Sequence, residues 1–211
     1  MNESGYLTLG RPGGIPVRIH WTAPLGAVVL SGLSWRPGAW LGFLLLILVH
    51  ELGHAALVKI NRLRVEEVMI HALGGECRWS GSASELQRSV VAWGGVLGQL
   101  LLLVVALVVS YVVSVSSLFV REMLDVWIRT NLMIMAINLI PYGPLDGVRA
   151  WQLPRLWNER RQREQRRSRL RVVPSPPRDD VPSGKMSESL QREVDRITRE
   201  AVRDAKKSTK N

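Results

Sequence analysis

The chain has 211 residues, 46% of them hydrophobic, a net charge of +10 and one cysteine. A lone Cys77 excludes an intrachain disulfide and any multi-cysteine metal cluster. The charge is unevenly spread: residues 19–151 are strongly apolar, whereas residues 155–211 hold 17 Lys/Arg against 9 Asp/Glu, so the average describes neither half.

The opening eighteen residues lack a charged segment followed by an apolar one, and a cleaved signal peptide is not expected. A first apolar stretch, His20 to Trp35, lies between Arg18 and Arg36 and is short for a full span. A second runs from Trp40 to about Val58, a third lies between Arg88 and Arg121, and a fourth runs from Thr130 to about Trp151. A span needs roughly 20 apolar residues, so the expectation is an all-α polytopic membrane protein with about four transmembrane helices. After the second helix, Val65 to Leu73 reads as a small strand-like or reentrant segment, and as a strand its free edge would be open to an unwound peptide. In a four-span arrangement Arg11, Arg18, Lys59, Arg62, Arg64 and the arginine-rich tail share one face, which places the N- and C-termini in the cytoplasm. The small size fits a bacterial plasma membrane.

The second apolar stretch carries His50-Glu51-Leu52-Gly53-His54. Residues four apart share a helix face, so His50 and His54 present two nitrogens on one side with Glu51 adjacent. That is the arrangement a zinc ion requires of two ligands and a general base. Ionisable groups at membrane depth are costly and mark functional sites.

A catalytic zinc ion takes three protein ligands. A third histidine in the metzincin pattern is excluded, because Leu57 and Ile60 stand where glycine and histidine would be needed. Glu66, Glu67 and Glu76 are in range but sit in a polar loop, where solvated charges are the simpler reading. Asp146, in Asn138-Leu-Ile-Pro-Tyr-Gly-Pro-Leu-Asp-Gly147, is the better candidate. Helix rise puts His54 about 8 Å and His50 about 14 Å from the basic end at Lys59, and Asp146 about 8 Å from the same face. Pro141, Gly143 and Pro144 break the helix beside it, which a membrane tolerates only where protein or trapped water satisfies the freed backbone. His20 and His71 read as structural histidines.

These motifs resemble the site-2 protease family of intramembrane zinc metalloproteases, which pairs a His-Glu-x-x-His helix with a later Asn-x-x-Pro-x-x-Pro-Leu-Asp-Gly helix. Arg18-Ile-His-Trp21 looks like the start of the family's first helix, and Leu73-Gly74-Gly75 like its glycine pair after the zinc helix. Gly94-Gly95-Val96-Leu97-Gly98-Gln99 is similar to the family's Ala-Gly-Pro-x-x-Asn, with Val96 and Gln99 as departures, and Val148 departs from a frequent second glycine. The resemblance covers about residues 11–155. It implies His50, His54 and Asp146 as ligands of Zn2+, Glu51 as catalytic base and Asn138 as an active-site neighbour. It also implies hydrolysis of peptide bonds in or near transmembrane segments of membrane-embedded protein substrates. A catalytically silent membrane scaffold of the same fold is the alternative, against which the complete candidate ligand set and intact Glu51 weigh.

The domain expectation is a metalloprotease core over residues 1–155 and a basic cytoplasmic tail over 156–211. Arg160 to Arg169 suits the anionic headgroups of membrane lipid. Val173-Pro-Ser-Pro-Pro177 reads as a linker within a partly disordered segment. Leu190, Val194, Ile197 and Ala201 recur at helical spacing, which predicts a short helix near 186–206 able to meet a protein partner or the membrane. No folded nucleic-acid-binding module accompanies these charges, and no specific nucleic acid is expected.

Overall fold

The structure, a computed structural model, describes residues 5–72, 74–171 and 191–199. Short alternating segments at the N-terminus, Tyr6–Gly10 and Val17–His20, form strands β1 and β2. Arg64–His71 and Gly74–Ser80 form β3 and β4. Among the described residues the four make one sheet in the order β1-β2-β3-β4. β1 and β2 are antiparallel, β2 and β3 parallel, and β3 and β4 antiparallel with a bulge between Val65 and Glu67. The protein is therefore mostly helical with a small sheet rather than all-α. The free-edge expectation for Val65 to Leu73 is also corrected: β3 is interior, flanked by β2 and β4, and its Val68, Met69 and Ile70 are buried. The edges left open belong to β1 and β4.

The first helix, α1 (Ala23–Leu30), has 8 residues and rises only about 12 Å. Gly32 and Leu33 at positive φ end it, and His20 is taken into β2, so the stretch from His20 to Trp35 makes no full-length helix. α2 (Pro37–Ile60, 24 residues) and α3 (Glu85–Val112, 28 residues) are, among the described residues, the two helices long and apolar enough to cross a membrane. Proline at the start of α2 is preset for helix, and the Gly38 N–H donates to Glu122 Oε2 at 3.1 Å, so a distant side chain caps the end. α3 starts with a capping box: Ser84 Oγ accepts from the Gln87 N–H at 3.3 Å while Gln87 Oε1 accepts from the Ser84 N–H at 3.0 Å. Leu100, Leu101, Val104 and Val108 on α3 are exposed, an apolar surface suited to lipid rather than water.

α4 (Leu118–Asp125), a π-helical segment (Val126–Thr130) and α5 (Asn131–Asn138) follow one another without a break. The fourth helix thus starts earlier and stops sooner than the expected Thr130 to Trp151. It tolerates its charges because they are paired: Glu122 with Arg36 at 3.5 Å as well as Gly38, and Asp125 with Arg129 at 3.1 Å and Arg36 at 3.9 Å. α6 (Gly147–Ala150) and α7 (Leu153–Arg171) follow.

The core centres on α2. Phe43, Leu46 and Ile47 pack with Ala23 and Ala27 of α1, Ile70 of β3, Leu102 of α3 and Val126. A second cluster, Ala55 with Ile15, Val17 and Val68, fixes the sheet to the lower half of α2.

The chain divides into two compact units, Met1–Gln162 and Arg163–Asn211, and the site described next lies wholly in the first. In the second, residues 191–199 are helical. The Val173–Pro177 linker, the disorder expected around it and the remainder of the expected 186–206 helix lie outside the described residues.

Candidate metal centre

Histidines on a helix reach a common point only if their rings are turned the same way, and here a neighbouring helix turns them. α2 and α3 approach closely through glycines: a Cβ on Gly94 would lie 2.6 Å from the Gly53 carbonyl oxygen and 2.7 Å from the His54 Cα, and one on Gly98 would lie 2.7 Å from the Val49 carbonyl oxygen. That contact leaves room for no side chain and brings α3's polar groups against the histidines. The His54 Nδ1–H donates to the Val91 carbonyl at 2.8 Å, and the His50 Nδ1–H to Gln99 Oε1 at 3.1 Å. A side chain at Gly95 would strike the His50 ring itself. With both Nδ1 atoms engaged as donors, both Nε2 atoms carry free lone pairs, and they face each other at 3.1 Å.

Asp146 arrives from the other direction. The helix ends at Asn138, and the chain doubles back through Pro141 to Leu145, with Gly143 at φ 59°. α3 pins the returning segment: Ser89 Oγ donates to the Arg149 carbonyl at 2.7 Å and Trp93 Nε1 to the Ala150 carbonyl at 3.0 Å. Trp151 Nε1 closes the turn by donating to the Leu139 carbonyl at 2.7 Å. Asp146 Oδ2 then stands 3.2 Å from His50 Nε2 and 3.2 Å from His54 Nε2.

His50, His54 and Asp146 form the one group of its kind among the described residues that could hold a metal ion. The donor set fits zinc. Ligands about 2.0–2.1 Å from a tetrahedral zinc ion stand about 3.3–3.4 Å from one another, within a few tenths of an ångström of the separations found. Three electron-rich atoms so close need a shared proton or a cation among them.

Glu51 is 5% exposed on the adjoining side of α2. β4 covers it: a Cβ on Gly75 would lie 2.5 Å from Glu51 Cγ and 2.7 Å from Oε1, so only glycine leaves the carboxylate its place. Asn138 is half-buried at the end of α5 and contributes no atom to the donor group. The other carboxylates considered are committed elsewhere, Glu67 to Arg18 and Arg78 at 3.0 Å each and Glu76 to Arg78 at 3.4 Å. Glu66 is exposed. His20 bonds Thr22 Oγ1 at 2.7 Å and packs on Tyr6. Burial, with the charges of Glu51 and Glu76, pushes the Cys77 thiol up to about 12. Sequence reasoning noted Gln99 only as a departure from a motif and missed Asn131; both are fully buried, and their partners become visible only once the helices cross.

No protein-family model matches the chain. A protein named as a zinc metalloprotease from Methanocaldococcus jannaschii is 29% identical over 152 residues, covering 64% of this chain and 41% of that protein. Stage IV sporulation protein FB of Bacillus subtilis is 32% identical over 134 residues, covering 62% of this chain and 45% of that protein. The solved structure of a site-2 protease from Methanocaldococcus jannaschii superposes with a TM-score of 0.54 at 26% identity, over 70% of each chain. In sequence and in fold the chain resembles the site-2 protease family. It spans less than half the length of the curated relatives it matches. Against the site-2 protease resemblance, Arg18-Ile-His20 lies in strand β2, and the first helix starts only at Ala23. Gly94, Gly95 and Gly98 gain a physical reason in the helix crossing, and Gly75 in the clearance it gives Glu51.

Proposed function

We propose that this chain is a zinc-dependent intramembrane endopeptidase that hydrolyses peptide bonds in or near transmembrane segments of membrane-embedded protein substrates. The observation that carries this reading is the convergence of His50 Nε2, His54 Nε2 and Asp146 Oδ2 at 3.1–3.2 Å beside Glu51. His50, His54 and Asp146 hold the ion, and Glu51 is the base.

When bound, zinc supplies Lewis acidity and a water acidified toward neutrality. With the ion bound, Glu51 would serve as the base that takes a proton from the attacking water and returns it to the departing amine. The Val91 carbonyl, which can only accept, keeps the His54 imidazole in the ligating tautomer. A transmembrane helix shields its own peptide bonds, so the substrate must first unwind, and the open edge of β4 offers it backbone partners. Because Gly75 of that strand abuts Glu51, a peptide added there runs past the base.

The proposed topology takes α2, α3 and the run from Leu118 to Asn138 as passes. Cytoplasmic placement of both termini requires the whole stretch from His20 to Arg36, of which α1 supplies about 12 Å, as a fourth. The exposed arginines of α7 then face the anionic headgroups of the inner leaflet.

The test is to purify the protein in detergent, measure bound zinc, and compare wild type with Glu51→Gln on single-span substrates. The expected result is zinc retained in both and cleavage reduced by about 10²-fold or more in the variant. Zinc bound without cleavage of any substrate would favour the silent scaffold.

A further inference from the structure

The buried polar groups of α3 and the π-helical segment have a use that ligand geometry alone does not reveal. Gln99 is fully buried at mid-helix, where an amide must be held by specific partners. Its Oε1 accepts from His50 Nδ1 at 3.1 Å, while its Nε2 has no hydrogen-bond partner among the described residues. The side chain is therefore placed for what its oxygen does. Asn131, also fully buried, donates from Nδ2 to the Gln99 carbonyl at 2.9 Å and to the Trp127 carbonyl at 3.1 Å. The π-helical turn just before Asn131 alters the local helix geometry, and the asparagine takes up one of that turn's carbonyls while joining the fourth helix to α3 at the residue that touches His50.

His54 needs no such help, because its Nδ1 meets a backbone carbonyl that can only accept. His50 meets an amide, which could offer oxygen or nitrogen. If nitrogen faced the ring, Nδ1 would have to accept, and the proton would move to Nε2, where a metal ligand must be bare. We infer that Gln99 is a positioning residue whose side-chain oxygen fixes His50 in the tautomer that ligates the metal, with Asn131 anchoring the backbone that carries it. This inference rests on the reading of His50, His54 and Asp146 as a metal centre.

Two substitutions of similar size separate acceptor from filler. Gln99→Glu can only accept, and Gln99→Met can do neither. The measurements are the dissociation constant for Zn2+ by chelator competition, the visible absorption of the Co2+-substituted protein and the melting temperature, all on the full chain in detergent. The expected result is that Gln99→Glu binds as tightly as wild type or more so and keeps its Co2+ spectrum, whereas Gln99→Met binds about 10–100-fold more weakly with an altered spectrum. Equal metal affinity in folded Gln99→Met and wild type would overturn the inference and leave the metalloprotease reading intact. A loss of tenfold or more in Gln99→Glu would overturn it even if the methionine variant did not fold. Wild type binding no metal would overturn both.

Discussion

Single residues decide whether the centre is assembled. Replacing His50, His54 or Asp146 with alanine removes one of three donors that stand 3.1–3.2 Å apart, and bound zinc should fall from about one per chain to near zero by elemental analysis. Gly75→Ala is a different kind of lesion. Its methyl would displace Glu51 without touching the donors, so zinc content should be kept while kcat falls by about 10²-fold, the cost of a misplacement near 1 Å. Cys77 gives a control: with its thiol pushed up to about 12, the reactive thiolate is scarce at pH 7 and forms only as pH climbs toward that value. Iodoacetamide at neutral pH should leave it unmodified over times that alkylate a free thiol fully, as mass spectrometry would show. At this scale the sequence was most readable. His50, Glu51 and His54 are set by helical spacing alone, and Asp146 stood out beside a Pro-Gly-Pro break. Gln99 was not legible in the same way, because its partner lies 49 positions away and is brought near only by a helix crossing.

Among the elements, α3 does the organising. From one helix come the Val91 carbonyl and Gln99 for the histidines, the glycines that admit α2, and Ser89 and Trp93 that fix the segment bearing Asp146. Gly94→Val should force α2 and α3 apart at Gly53 and His54, lowering stability by about 1–3 kcal/mol in thermal unfolding, with looser metal binding as a second effect. Elements were also where sequence reading erred, for identifiable reasons. β1 and β2 are too short to give a strong alternating signal; β1 pairs with β2, and β2 is held by pairing with β3, a contact between distant parts of the chain. The fourth helix starts before Thr130 because its opening charges, which interrupt the apolar run, are partly neutralised: Arg36 and the first turn of α2 take up Glu122 and Asp125. The location of the free sheet edge followed from the same omission: without β1 and β2, β3 looks like a margin.

For the whole molecule, the proposed topology predicts which loops face which compartment. With the Cys77 thiol pushed up to about 12, introduced cysteines should dominate labelling at neutral pH. Ser116→Cys, between α3 and α4, should react with a membrane-impermeant maleimide in intact cells, and Ser82→Cys, between β4 and α3, should react only after permeabilisation. The reverse pattern would invert the proposed topology. The two long apolar helices were readable at this scale because apolar length is an additive property of sequence. The sheet and the doubled-back segment were not, since both depend on tertiary closure.

The path between Asn138 and Gly147 has one more consequence. Two donors ride on a single rigid rod, while the third sits on a folded-back strip fastened mainly by three hydrogen bonds, from Ser89, Trp93 and Trp151. The ion would then act as a rivet as well as a reagent, and chelation should let that strip peel away. Deuterium uptake would rise around residues 139–152 on adding a chelator while the middle of α2 stayed protected.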